Sequence, residues 1–209
     1  MSGKASDTAL IMVDVQNDFC PGGALAVPGG DEVVVPINKL IERFENVVLT
    51  QDWHPRGHSS FASSHAGSAP FSSIEMPYGT QTLWPDHCVQ GSAGADFHKG
   101  LAWTKAQLII RKGFRAPIDS YSAFFENDRK TPTGLAGYLR ERGIKSVVLA
   151  GLATDFCVGY SALDAARLGF SASVVMDASR AIDLNGSLAA AEKDMRAAAV
   201  ALTEMAAVA

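Results

Sequence analysis

Short apolar runs alternate with longer stretches whose apolar positions recur every three or four residues. The runs are TALIMVDV (8–15), NVVLTQD (46–52), AQLIIRKG (106–113), KSVVLAGL (145–152) and FSASVVMDAS (170–179). They are brief, rich in β-branched residues and mostly without a polar face, the pattern of strands buried on both sides. Helical spacing lies between them. DEVVVPINKLIERF (31–44) carries it from Val35 onward, with Pro36 tolerable in a first turn. GLAGYLRERG (134–143) is a helix closed by Gly143, and DFCVGYSALDAARLG (155–169) is another. SLAAAEKDMRAAAVALTEM (187–205) is alanine-rich and helical, with room for a short strand in its AAVAL portion.

Strand and helix in steady alternation predict a mainly parallel sheet, because parallel neighbours need a crossover. Right-handed crossovers place helices on both faces, so the expected fold is α/β, a doubly wound α/β/α sandwich. No repeat or linker divides it, and a single domain over 1–209 is expected. The exception to the pattern is 53–105, rich in Gly, Ser, Pro, His and Trp. A connection that long is usually functional, and short helices are expected to interrupt it.

Composition changes this picture little. The chain has 209 residues, 47% hydrophobic and 19% charged, with a net charge of −4. Such a charge gives no basis for nucleic acid or an anionic membrane as partner. MSGKASDTALIMVDV lacks the apolar core of a leader peptide, and no apolar run reaches the length of a membrane span. Three cysteines, Cys20, Cys88 and Cys157, form an odd and sparse set that suits a reducing cytoplasm.

Chemistry gathers at the strand ends, where ligands sit in open parallel sheets. Asp14 ends the first strand, Asp52 the second and Lys112 the third, and Cys157 follows the fourth. Singly, each has an ordinary structural reading: a cap, a surface ion pair, a packed thiol. Together they suggest one crevice. With Thr154 as N-cap, Cys157 falls near the third helical position, where the helix amides and a nearby Lys112 are expected to lower the thiol pKa. Asp14 could then take the thiol proton, and the backbone amides of Ala153 and Cys157 could form an oxyanion hole. Asp52 and His54, one residue apart, point to the same side of an extended chain. With His87 they form a donor set for Zn2+, Mn2+ or Fe2+. His58 is a further ligand candidate or a brace, and Cys88 a soft-ligand candidate for which burial is the simpler reading. His65 and His98 are read as surface residues. Phe19, Trp84, Tyr121 and Phe156 are candidates for the walls around a flat substrate, against an equal case for plain packing.

Five blocks in order, VDVQNDFCPGGALAVPGG, TQDWHPRGHSSF, LWPDHCVQGSAGADFH, RKGFRAPIDSYSAFF and GLATDFCV, resemble the nicotinamidases, members of the isochorismatase-like cysteine hydrolases. The resemblance runs from about residue 8 to residue 180. It implies a metal-dependent amidohydrolase of NAD salvage that converts nicotinamide to nicotinate and ammonia through a cysteine thioester, with pyrazinamide as a further substrate. The implied triad is Asp14, Lys112 and Cys157, and the implied metal ligands are Asp52, His54 and His87. His58 or Ser60 is the nearest counterpart of an extra ligand found in some members. Phe19, Trp84 and Tyr121, with Phe156 beside the nucleophile, fall on the substrate-lining positions. A cis peptide is implied at Leu152–Ala153. One divalent metal, Zn2+ first, is the expected cofactor, and homo-oligomers are compatible with the sequence. The competing readings are another isochorismatase-like amidase acting on a different small amide, a hydrolase using metal-bound water with a structural Cys157, and a non-catalytic binding domain. The last lacks GxGxxG or a P-loop after the first strand.

Overall fold

The structure is a computed structural model and describes residues 6–208. Both ends of the expected 1–209 domain, and the first residues of the stretch read as lacking a leader, lie outside the described residues. The elements in order are β1 (Thr8–Val13), α1 (Val34–Ile41), β2 (Asn46–Asp52), β3 (Ser73–Met76), β4 (Gly79–Thr82), β5 (Leu108–Lys112), α2 (Leu135–Glu141), β6 (Ser146–Leu152), α3 (Gly159–Arg167), β7 (Ser171–Arg180), α4 (Ser187–Ala197) and β8 (Ala201–Thr203).

Six strands form one sheet in the order β5-β2-β1-β6-β7-β8, every neighbouring pair parallel. Side chains of β1 alternate between two cores. Leu10 and Met12 pack on one face with Ile37, Leu40 and Ile41 of α1. Ala9, Ile11 and Val13 pack on the other with Leu135 and Leu139 of α2, Ala162 and Ala165 of α3 and Met195 of α4. Each large aliphatic side chain buried this way contributes about 1.5–3 kcal/mol before chain entropy is counted. This is the doubly wound sandwich expected from the alternation of runs.

The chain proceeds outward from β1 to β2 and β5, then returns to β6 on the other side of β1 and continues to β7 and β8. The order reverses between β1 and β6, and a crevice opens there beyond the strand ends. Gly151 permits the close pairing at this point. Its φ is +129°, and a Cβ would lie 2.2 Å from the Val13 carbonyl oxygen.

Several boundaries differ from the sequence reading. The helix expected from 155 begins as a wide turn, Thr154–Val158, before α3. Thr154 is not its N-cap; Ala153 is, and it has no side-chain oxygen to offer. Instead its backbone carbonyl accepts from the amides of Phe156 (3.1 Å) and Val158 (3.0 Å). The stretch 187–205 is helical only to Ala197, and its end forms β8, pairing with β7 through Leu202 and Val174. Alanine propensity yields there to an open sheet edge. Region 53–105 holds the expected short helical turns, Ala62–Ser64, Ala93–Ala95 and Trp103–Lys105, and also the antiparallel hairpin β3–β4. The hairpin escaped the pattern because Gln81 is the only fully buried residue of its two strands. Among the described residues, no helix is long and apolar enough to cross a membrane.

Candidate active site

The ionisable groups expected at the strand ends meet at the β1–β6 crevice. Lys112, completely buried at the end of β5, is the centre. Its ammonium is 2.9 Å from Asp14 Oδ2, pairs with Asp52 Oδ1, donates to the Ser120 carbonyl (2.9 Å) and lies 3.4 Å from Cys157 Sγ. Burial opposes its charge, yet the two carboxylates hold its pKa well above the ordinary lysine value. Asp14 follows β1 in a left-handed conformation, φ +47°, which aspartate tolerates better than most residues. Thr50 of β2 fixes it by donating to Oδ1 (2.5 Å) and accepting from the Asp14 amide (3.2 Å). Burial raises the Asp14 pKa, with Lys112 working against the rise.

The expected low-pKa thiol is not what this arrangement produces. Burial pushes the Cys157 thiol well above its ordinary value, and the Lys112 charge does not overcome it. One ammonium facing two carboxylates leaves little positive field at the sulfur to offset that desolvation. An Asp14 carboxylate oxygen lies within 4.8 Å of Cys157 Sγ, and its negative charge favours the protonated thiol further. A carboxylate is therefore close to the proton that must leave. The Leu152–Ala153 peptide preceding the turn is cis.

Asp52, His54 and His87 form a second group, with one donor atom from each lying within 4.8 Å of the others. His54 Nδ1 meets the Gly113 carbonyl at 2.9 Å, and His87 Nδ1 meets the Pro85 carbonyl at 2.8 Å. A carbonyl only accepts, so each Nδ1 carries the hydrogen. In the neutral rings that leaves two Nε2 lone pairs, 3.6 and 3.8 Å from Asp52 Oδ2. Two imidazoles oriented by backbone acceptors beside one carboxylate fit a divalent transition metal. Asp52 is buried, but Lys112 and then His54 hold its carboxyl well below the usual range. Its backbone is clamped by Gln16, which accepts from the Asp52 amide (2.8 Å) and donates to its carbonyl (2.9 Å). Gly113 supports His54 by its size as well: a Cβ there would lie 2.4 Å from the imidazole.

His58 sits in a neighbouring group with His54 and Asp119. Its Nε2 donates to the carbonyls of Arg115 (3.0 Å) and Ile118 (3.2 Å), and its Nδ1 faces Ser60 Oγ at 2.8 Å. The His58 ring packs 4.4 Å from the His54 ring, between centroids. Both nitrogens are thus engaged, and Ser60 faces His58. Cys88 is completely buried and, among the described residues, belongs to none of the clustered donor groups. His65 and His98, read as surface residues, are both half-buried. His65 Nε2 donates to the Ser59 carbonyl (2.7 Å), and His98 Nδ1 accepts from the Gly100 amide (3.1 Å).

Above these groups is a tight cleft, about 330 Å³ of free space including its mouth. Phe19, Trp84, Tyr121 and Phe156, the aromatics expected as walls, all line it, with Cys157, Asp52 and His87 at its base. Trp84 and Phe156 meet edge to face at 4.9 Å between centroids, and Tyr121 and Phe156 at 5.6 Å. Larger pockets elsewhere on the protein do not contain these groups. The sequence reading missed Leu25, Asp119 and Ile182 in the walls. It also missed Asp155, whose carboxylate accepts from the amides of Ile182 (3.0 Å) and Asp183 (2.8 Å) and from Ser187 Oγ (2.5 Å). An aspartate two residues before the cysteine was a usable signal; Leu25 and Ile182 had none, being apolar residues in irregular chain.

An all-parallel sheet with a thiol, a lysine and a carboxylate at its switch point defines a class, and the chain belongs to it: residues 8–207 match the isochorismatase domain family. Within that family its likeness is particular. It is 56% identical to the nicotinamidase of Acinetobacter baylyi, over 94% of this chain and 92% of that one. The structure of the Acinetobacter baumanii nicotinamidase/pyrazinamidase superposes with a TM-score of 0.96 at 54% identity, covering 98% of this chain and 99% of that one. A pyrazinamidase of Pyrococcus horikoshii, solved in complex with zinc, superposes with a TM-score of 0.77 at 35% identity, covering 95% and 99%.

Proposed function

We propose that this protein is a nicotinamidase, one isochorismatase-like domain that hydrolyses nicotinamide, and pyrazinamide with it, to the pyridine or pyrazine carboxylate and ammonia. The observation that carries the reading is the single buried ammonium of Lys112, in contact with Asp14, Asp52 and Cys157 at once. It joins a thiol site to a metal-ligand group beneath an aromatic cleft of small volume. The relatives' activities and the zinc of the archaeal structure support the same reading. The three free cysteines support a reducing, cytoplasmic setting.

Phe19, Trp84, Tyr121 and Phe156 bind the flat ring and orient its carboxamide toward Cys157. Asp14 takes the thiol proton as sulfur attacks the carboxamide carbon. The amides of Ala153 and Cys157 receive the oxyanion; those of Phe156 and Val158 are engaged by Ala153. Asp14 gives the proton to the departing ammonia, takes one from the water that cleaves the thioester, and returns it to the released sulfur. Lys112 keeps Asp14 and Asp52 apart in charge and fixed in place. Asp52, His54 and His87 hold a divalent metal, Zn2+ first among candidates, and His58 with Ser60 braces His54. When bound, that cation supplies a Lewis acid for a ring nitrogen and positive charge beside Lys112.

The test is ammonia release from nicotinamide. Wild type is expected to release it, Cys157→Ala to lose about 10³-fold or more in kcat while still binding nicotinamide, and a chelated sample to recover on adding Zn2+. Near-normal turnover by Cys157→Ala overturns the covalent scheme.

A further inference from the structure

Gln81 is a completely buried polar side chain on a hairpin whose other strand residues are exposed or half-exposed. A buried amide without partners costs about 1–3 kcal/mol, so its contacts are informative. The Gln81 Nε2 has the Thr82 carbonyl (2.7 Å), the Tyr121 hydroxyl oxygen (2.8 Å) and the Asp119 carboxylate (3.0 Å) in hydrogen-bond range, its two hydrogens shared among the three. Its Oε1 accepts from the Tyr78 hydroxyl (3.2 Å) and from Asn127 Nδ2 (3.1 Å). A carbonyl and a carboxylate only accept, so the amide nitrogen must face them, and a glutamate in its place sets oxygen against oxygen.

The network continues into the cleft. Tyr121 Oη also accepts from Trp84 Nε1 (3.1 Å). Asn127 closes the far side, with Oδ1 accepting from the Tyr121 amide (2.9 Å) and its own amide donating to the Asp119 carbonyl (2.7 Å). Trp84, Tyr121 and Asp119 all line the cleft. One amide, outside the cleft lining and remote in sequence from the thiol, therefore ties together three of the groups a ring would meet.

We propose that Gln81 is a positioning residue for the substrate ring, holding Trp84, Tyr121 and Asp119 in a preformed wall. The proposal rests on the nicotinamide reading. No hydrogen bond links Gln81 to Asp14, Lys112 or Cys157 among the contacts described above, so its loss acts on ring binding and not on the thiol step. Without it the three wall groups must be ordered by the ligand itself, which weakens binding.

Steady-state kinetics on nicotinamide separate the alternatives. Gln81→Met is expected to raise KM about tenfold with kcat within about threefold of wild type. Gln81→Glu, equal in size but without donors, is expected to raise KM at least as much. Adding Asp119→Asn to Gln81→Glu returns a donor to that contact and is expected to recover part of the loss. A KM within twofold of wild type in both single variants overturns the proposal, as does a fall in kcat at unchanged KM. If Gln81→Met does not fold, the Gln81→Glu pair decides, and failure of the double variant to recover any of the KM loss counts against the network. Nicotinate titrations followed by tryptophan fluorescence run alongside. If wild type binds nicotinate but does not turn nicotinamide over, the functional reading fails and an unchanged nicotinate Kd in both single variants overturns the Gln81 proposal separately. If wild type does neither, both fall.

Discussion

At the scale of the residue, the central fact is the charge balance around Cys157. Position on a helix and a nearby lysine suggested a thiol ready as thiolate. Burial of the thiol, with two carboxylates set against one ammonium beside it, reverses that expectation. In the scheme proposed above, Asp14 must then act as a base at the moment of attack, and its ionisation governs the acid side of the rate profile. Its pKa is raised above 3.8, chiefly by burial. The carboxylate is the active form, so kcat/KM is expected to fall as pH drops through that raised value, on the near-neutral side of 3.8. A pH–rate profile of the metal-loaded enzyme checks it, and a rate flat down to pH 4 removes Asp14 from the role of base. The residues Asp14, Lys112 and Cys157 were legible as ionisable or nucleophilic groups at strand ends. Thr50, which fixes Asp14, was not, because a threonine inside an apolar strand reads as ordinary strand composition.

At the scale of the element, short connections decide how the cleft is closed. Asp155 sits in the turn before α3 and gathers the Ile182–Ser187 segment through three accepted hydrogen bonds. That segment brings Ile182 into the cleft wall. Asp155→Ala removes all three hydrogen bonds and is expected to destabilise the fold by about 1–3 kcal/mol while raising KM more than it lowers kcat. Denaturant unfolding and steady-state kinetics on one preparation check both; an unchanged KM separates the segment from substrate binding. The strands were readable because burial on both faces leaves a continuous apolar run. The β3–β4 hairpin and the wide turn at Thr154–Val158 were not, since polar hub contacts and carbonyl capping leave no periodic trace.

At the scale of the whole molecule, the site exists only because five chain segments distant in sequence meet at one crevice. Asp14 follows β1, Asp52 ends β2 with His54 just beyond it, His87 comes from the long connection, Lys112 ends β5, and Cys157 follows β6. The proposed metal-ligand group and the thiol group share Lys112 through Asp52, yet they are built by different residues and should separate on mutation. His54→Ala is expected to lower metal content on elemental analysis and weaken nicotinamide binding about tenfold or more, with the thiol group left in place. Full metal occupancy in that variant sinks the proposed ligand set.

Sequence alone determined the parallel α/β architecture, because hydrophobic periodicity follows directly from which faces are buried. It also located the reactive residue types, since strand ends mark where a parallel sheet meets its ligand. Tertiary structure decided everything that depends on distance between segments: the pairing of one ammonium with two carboxylates, the upward shift of the thiol pKa, and the assembly of the cleft wall around Gln81. Electrostatic and hydrogen-bond energies vary with separation and burial, and neither is written in the order of residues along the chain.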